Sequence, residues 1–216
     1  MRMVRILVEG QTEEIIVNQV LAPEFMPDTC LEPTVLKTKR LAGGGHFKGG
    51  VTSWARIEND IRRLLGDTHA TYVTTLIDYY GLPVDTPGMS ERPEGTPYDR
   101  VEYVERAISS RVSDPRFIAN LVLHETEAWV LAAAQQLGEL LGDAGLAENL
   151  DKQVRDAGSA ELVNDGPHTA PSKRLLTAFP GYNKTQDGPT AISDLGITAL
   201  RSACPHLDRW LALVLS

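Results

Sequence analysis

Ile6, Leu7 and Val8 form a short unbroken apolar run that stops at Glu9-Gly10. That pattern suits a strand buried on both faces of a parallel sheet. Ile16, Val17, Val20 and Leu21 follow at helical spacing and mark one buried stripe. Thr12 is the expected N-cap of this helix, and Glu13 and Glu14 suit the positive end of its dipole. Pro23 and Pro27 are expected to end it.

The alternation continues down the chain. Residues 31–41 predict a second strand with a basic side formed by Lys37 and Lys39, with Arg40 following. Trp54, Ile57, Ile61 and Leu64, spaced three or four apart, predict an amphipathic helix starting at Ser53. The stretch THATYVTTLID predicts a strand ending at Asp78, and residues 83–97, rich in Pro, Gly and Glu, predict a mobile surface loop. Val101, Val104, Ile108 and Val112 mark the next helix. A strand is expected over 117–123 and one helix over 127–141. The order β-α-β-α-β-α-β-α implies an α/β fold, a mostly parallel sheet flanked by helices.

Beyond residue 141 the pattern changes. Residues 142–170 are small, polar and acidic, and APSKRLLTAF and CPHLDRWLALVL predict helices separated by a loop at 181–188. The expected organisation is an α/β domain over 1–141 with a C-terminal helical extension over 142–216 packed on it.

Composition narrows the class without deciding it. A chain of 216 residues that is 42% hydrophobic can fill a core. No run is as long or as apolar as a membrane span, and MRMVRILVEG is too short an apolar run for a signal peptide, so a cytoplasmic location is expected. Cys30 and Cys204 are distant and lack metal-site spacing, so buried thiols are expected. The net charge of −8 argues against coating nucleic acid through bulk positive charge. It does not argue against a nuclease, because cations held by acids reverse the local field.

The candidate chemistry lies at strand ends. Glu9, Asp78 and the pair Glu125 and Glu127 each follow an apolar strand, where open α/β sheets place their ligands. Glu13 stands one helical turn further on. Any one of these acids could simply suit a helix N-terminus or a solvated strand end. Together they form the hard-oxygen donor set that suits Mg2+ or Mn2+. The sequence His124-Glu125-Thr126-Glu127 is not the zinc-protease motif, because Ala128 replaces its second His.

Basic residues supply the phosphate-binding candidates: Lys173 and Arg174 at the head of a helix, Lys184 after Tyr182, and Lys48 beside His46 in the Gly43–Gly50 run. That glycine run fails both the P-loop and the GxGxxG spacing. Ser172 has no His/Asp partner pattern, and Trp54, Trp129 and Trp210 fall on apolar helix faces as core residues would.

The motifs VEGQTEE, TLIDYYGLP, LHETEAW, APSKRL and YNK, together with ALRSACPHLDRWL, run in order through nearly the whole chain. They resemble the domain of unknown function family numbered 4276, which is Toprim-like. Toprim domains occur in topoisomerases, primases and overcoming-lysogenisation-defect (OLD-type) nucleases, where a strand-end Glu and a strand-end Asp-x-Asp hold magnesium. The resemblance implies that Glu9 is the Toprim Glu, that Asp78 is the first Asp, and that Glu13 is the second acid of the OLD-like branch. Tyr80 stands where the second Asp belongs, and the next carboxylate is Asp85. Glu125, Glu127 and Lys184 then correspond to the later acids and the assisting lysine of OLD-like enzymes.

The resemblance implies a Mg2+- or Mn2+-dependent nuclease acting on DNA ahead of RNA, in a bacterial anti-phage system alongside an ATPase. In that reading Glu9, Glu13, Asp78 and Lys184 are catalytic, Glu9, Asp78, Glu125 and Glu127 bind metal, and Lys173, Arg174 and Lys48 bind phosphate. Homo-oligomerisation is compatible with the sequence, and no membrane partner is expected. The alternative is a catalytically inactive Toprim-like subunit that partners an ATPase, which Tyr80 favours. A nucleotide phosphatase is a third, weaker reading.

Overall fold

The computed structural model describes residues 1–36, 53–163 and 169–216. Lys37, Lys39, Arg40, His46, Lys48 and the Gly43–Gly50 run lie outside the described residues. Among those described, β1 (Arg2–Val8), β2 (Thr29–Val35), β3 (Tyr72–Asp78), β4 (Phe117–Ile118) and β5 (Leu121–Val122) form one parallel arrangement. Its order is β2-β1-β3-β4, and β5 pairs with β3 beyond β4. The α/β architecture is therefore a parallel sheet flanked by helices, with further helices at the C-terminal end.

Period-2 alternation assigns each strand residue to one of two cores. Val4, Ile6, Val8, Leu76 and Val122 point into one cluster; Leu7, Val73, Ile77 and Leu121 point into the other. The second core is closed by α3 (Trp54–Leu65) and α4 (Pro97–Val112). The first is closed by α1 (Gln11–Ile16) and by α5 (Glu127–Ala132), α6 (Ala134–Leu141), α7 (Ala144–Ala157), α8 (Pro171–Ala178), α9 (Asp187–Leu195), α10 (Ile197–Ala203) and α11 (Pro205–Val214). β2 is an edge strand, the position where Pro33 costs no ladder hydrogen bond.

Several elements differ from the expectation, each for a local reason. The first helix is capped by Gly10, not Thr12, because the Glu13 carboxylate reaches back to the Gly10 N–H at 2.9 Å. Pro23 does not end it. A π-helical turn over Val17–Leu21 widens the helix, and Pro23 enters α2 (Ala22–Phe25) in its first turn, where a missing N–H costs little. The chain leaves the helix at Met26, ahead of Pro27.

The strand expected over 117–123 is split. Asn120 leaves the ladder and is held by Thr75 instead: Thr75 Oγ1 donates to Asn120 O at 2.6 Å, Asn120 N donates to Thr75 Oγ1 at 3.0 Å, and Asn120 Nδ2 donates to Thr75 O at 3.1 Å. The helix expected over 127–141 breaks at Ala133, whose φ of −98° and ψ of 31° leave the helical range.

Residues 142–170, read from the sequence only as small, polar and acidic, contain a regular element. They hold α7, started by Asp143 Oδ1 accepting from Leu146 N at 2.9 Å and stopped by Gly158 at φ 83°. α7 lies so close to α6 that a Cβ on Gly138 would meet Ala147 Cβ at 2.5 Å. The loop expected over 181–188 is cut short by α9, which starts at Asp187.

The 83–97 loop is less free than its composition suggests. Thr86 and Gly88 are buried, and a Cβ on Gly88 would meet Ala107 Cβ of α4 at 2.8 Å. Cys204 is buried as expected, whereas Cys30 is only half-buried on the edge strand. Trp54, Trp129 and Trp210 are core residues, and Trp210 Nε1 donates to Thr74 Oγ1 at 2.9 Å, which fixes α11 on β3.

One further buried network ties α11 to α4. The Glu161 carboxylate accepts from His206 N at 2.9 Å, Leu207 N at 3.2 Å and the Tyr98 hydroxyl at 3.2 Å. It thereby satisfies the first N–H groups of α11, to which Pro205 contributes no donor. His206 Nε2 lies 3.0 Å from Glu105 Oε1, which also accepts from Leu121 N at 2.8 Å.

Candidate functional site

β1, β3 and β5 are parallel neighbours, so their C-terminal ends lie on one side of the sheet. Glu9 leaves β1, Asp78 ends β3, and Glu125 and Glu127 follow β5. Glu9 Oε2 accepts from the Asp78 backbone N–H at 3.2 Å. Asp78 Oδ1 accepts from Thr126 N at 3.1 Å. Glu125 Oε2 accepts from Ser172 N, at the start of α8, at 3.0 Å. Three strand ends and one distant helix are thus joined through carboxylates.

Glu13 plays a different part. Its side chain is buried and both oxygens are engaged, Oε2 by Gly10 N and Oε1 by the Thr126 hydroxyl at 2.9 Å. It clamps the first turn of α1 to the start of α5. Thr126 was not among the expected site residues, yet it serves both Glu13 and Asp78. The sequence signal was available: a hydroxyl residue between two acids, immediately before a helix.

Glu127 is 1% exposed, and Lys184 Nζ lies 2.9 Å from its Oε1. The other oxygen, Oε2, is buried with no hydrogen-bond partner among the described residues. The Tyr182 hydroxyl nearby is likewise buried and unpartnered. The YNK segment therefore brings one ammonium into a cluster of five carboxylates.

The electrostatics follow from burial and like charge. Burial raises the Glu9 carboxyl, and the Glu13 charge raises it further. Burial also pushes Asp78 well above the usual carboxylate range, with Glu13 and Glu9 adding to it. Glu127 is raised by burial against the opposing pull of Lys184. For Lys184, burial works against the charge, but Glu127 and Asp78 outweigh it and hold the ammonium above the ordinary lysine range. The cluster carries more negative charge than one lysine offsets.

The donor set fits a hard divalent cation in type: all candidate ligands are carboxylate oxygens. The unpartnered Glu127 Oε2 and the excess charge fit it as well. Against this, among the described residues no three acidic, His or Cys side chains converge closely enough to enclose an ion as they stand. Tyr80, at the position of the missing Asp, is an exposed side chain on the 3-10 turn Tyr79–Gly81, and its N–H donates to His124 O.

Other candidates fall elsewhere. His124 is buried with a positive φ of 65°, its Nε2 has no partner among the described residues, and burial lowers its pKa. Lys173 and Arg174 open α8, directly after Ser172, whose N–H donates to Glu125. They line a separate cleft between α7 and α8. Lys48 lies outside the described residues.

A family model described as Domain of unknown function (DUF4276) matches residues 8–214. Among solved structures, the chain is similar to the C-terminal region of the Xanthomonas campestris pv. campestris OLD protein. That likeness has 17% identity and a TM-score of 0.38, and covers 97% of this chain and 96% of the other. No curated protein matches the chain.

Proposed function

We propose that this chain, which belongs to the domain of unknown function family DUF4276, is a Toprim-like, divalent-metal-dependent nuclease. It would hydrolyse phosphodiester bonds of DNA, or of RNA, in the cytoplasm as part of a bacterial anti-phage system beside an ATPase. The observation that carries the catalytic reading is the gathering of Glu9, Asp78, Glu125 and Glu127 at three adjacent strand ends with Lys184 among them. The resemblance of the motifs supports the biological setting.

Glu9, Asp78 and Glu125 would hold Mg2+ or Mn2+, and Glu127 would either complete the shell or act as general base. A cation held there would supply an activated water at neutral pH and stabilise the leaving oxygen. The chain's own residues do the rest. Thr126 and the Asp78 N–H fix the orientations of Asp78 and Glu9. Glu13, with both oxygens engaged, holds Thr126 in place. In the general-base role, Glu127 Oε2 would take the proton released as water adds to phosphorus and the P–O ester bond breaks, and its raised pKa suits that role. Lys184, charged and partly exposed, offers its remaining N–H groups to a non-bridging phosphate oxygen.

A second reading is a non-catalytic subunit that binds an ATPase. Tyr80 in place of an acid, and the lack of three converging ligands among the described residues, favour it.

Calorimetric titration with Mn2+ of the wild type and of Glu9→Ala separates the two. Binding by the wild type alone, with cleavage of plasmid DNA or RNA lost in Asp78→Ala, supports the nuclease. Absence of binding at millimolar Mn2+ removes its basis.

A further inference from the structure

The run Tyr79-Tyr80-Gly81-Leu82 divides its side chains. Leu82 lies inside the second core and Tyr79 packs against it, whereas Tyr80 joins neither core and is 41% exposed. A large aromatic ring left in water offers a flat apolar face to a ligand.

The backbone fixes where that ring stands. Tyr80 N donates to His124 O at 3.1 Å, and Leu82 N donates to Tyr79 O at 3.4 Å. Further along, the two oxygens of Asp85 accept from Trp54 N at 3.0 Å and 3.2 Å, which ties the segment to the start of α3. The turn also lies against the acids: a Cβ on Gly81 would sit 3.7 Å from Glu9 Oε1. Tyr80 therefore stands at the rim of the carboxylate cluster, two residues beyond Asp78.

A cation is held beside the same turn. The exposed Arg92 donates from Nε to Met89 O at 2.8 Å and from Nη1 to the Tyr79 hydroxyl at 2.9 Å. Its guanidinium lies 5.7 Å from the centre of the Tyr79 ring. Both acceptors are uncharged, so they order the guanidinium without neutralising it, and further N–H groups of its fork are left to donate. A flat ring beside a fixed cation matches a nucleotide, which carries a flat base and a phosphate. An apolar protein segment would use the ring alone, and a duplex keeps the faces of its bases stacked inside.

We infer that this turn is a single-strand subsite: the Tyr80 ring stacks on an unpaired base, and Arg92 meets a phosphate of the same strand, at the edge of the carboxylate cluster. Stacking of this kind tolerates any sequence, because every base has a π face. The inference deepens the nuclease reading by naming an unpaired strand as its substrate, but the stacking itself does not depend on cleavage.

The test is titration of fluorescent single strands of DNA and RNA, and of a duplex of the same length, over a range of salt. It is run in EDTA and again in millimolar Ca2+, which shields the acids, with gels to check that the strands stay whole. Tyr80→Ala should weaken single-strand binding at least about fivefold, the lower end for loss of one stacked base. It should leave duplex binding and the salt dependence unchanged. Tyr80→Phe and Tyr80→Trp should bind as the wild type does, because stacking uses the ring and not the hydroxyl. Arg92→Gln should reduce the slope of log K against log salt by about 0.7. Thermal melts of the four variants check folding. Single-strand binding unchanged in Tyr80→Ala overturns the inference, as does an equal loss for the duplex, or no single-strand binding by the wild type in either buffer. An unchanged slope in Arg92→Gln overturns the phosphate contact. If Tyr80→Ala loses single strands while the wild type takes up no Mn2+, the catalytic reading fails and the subsite stands. If the wild type binds Mn2+ and cuts while Tyr80→Ala binds single strands equally well, the subsite fails alone.

Discussion

Thr126 and Glu13 stand 113 residues apart and share one buried hydrogen bond, from the Thr126 hydroxyl to Glu13 Oε1. The same threonine gives its backbone N–H to Asp78. One small residue therefore aligns the chain leaving β1, β3 and β5. Thr126→Val keeps the shape and the N–H but deprives a buried carboxylate of a donor. It should cost about 1–3 kcal/mol in urea unfolding, and Thr126→Ser should recover most of that.

The Lys184–Glu127 pair should behave as a unit. Lys184→Met leaves Glu127 buried and uncompensated. The expected loss is about 1–3 kcal/mol, below the range for a fully buried pair because the lysine side chain is 44% exposed. Adding Glu127→Gln removes the stranded charge and should restore part of the stability. A double-mutant cycle that returns no coupling would show that the pair does not form in solution.

Crowded acids imply a trade between stability and ion binding. Asp78→Asn retains an oxygen for the Thr126 N–H and removes one charge from the cluster. Without metal, the variant should be more stable than the wild type by about 0.5–2 kcal/mol. With Mn2+ at about 100 times its Kd, the wild type should gain about 2.7 kcal/mol and the variant nothing. Thermal melts with and without Mn2+ check both halves, and a wild type indifferent to Mn2+ would count against the metal.

Glu161 offers a pH test away from the cluster. Burial raises its carboxyl above the ordinary value, although three donors favour the charged form. The folded chain thus retains a proton that the unfolded chain has released. The stability tied to that proton is complete below the unfolded value near pH 4.3 and is lost as pH rises through the folded value. Glu161→Gln cannot titrate, and its amide sets an N–H against donors. The advantage of the wild type over this variant should therefore shrink as pH rises from 4 to 8 in urea melts, and a widening gap would contradict the assignment.

Much of the framework was legible in the sequence because strand and helix periods differ. Ile6-Leu7-Val8 and the run before Asp78 could only be buried strands, and their order implied a parallel sheet with acids at one edge. The interruptions were not legible. Asn120 leaves the strand because Thr75, 45 residues earlier, offers a better set of partners, and that is a tertiary fact. α7 was not singled out because its buried stripe is only Leu146, Ala147 and Leu150, and the small pair of Ala147 and Gly138 of α6 is what lets the two helices approach so closely. Lys184 could be singled out by type and neighbourhood. Lys173 and Arg174, read the same way, line a cleft between α7 and α8 that spacing does not reveal.

The Asn120 interruption has a further consequence. Leu121 and Val122 are adjacent in sequence and serve opposite cores. The number of residues between β4 and β5 therefore acts as a phase setting. Removing one residue there would exchange the two side chains across the sheet and turn the segment carrying Glu125 and Glu127 half a pleat out of step. The acids that follow β5 are aimed by counting: the chain spends exactly enough residues beside Thr75 to leave the sheet with the right face forward.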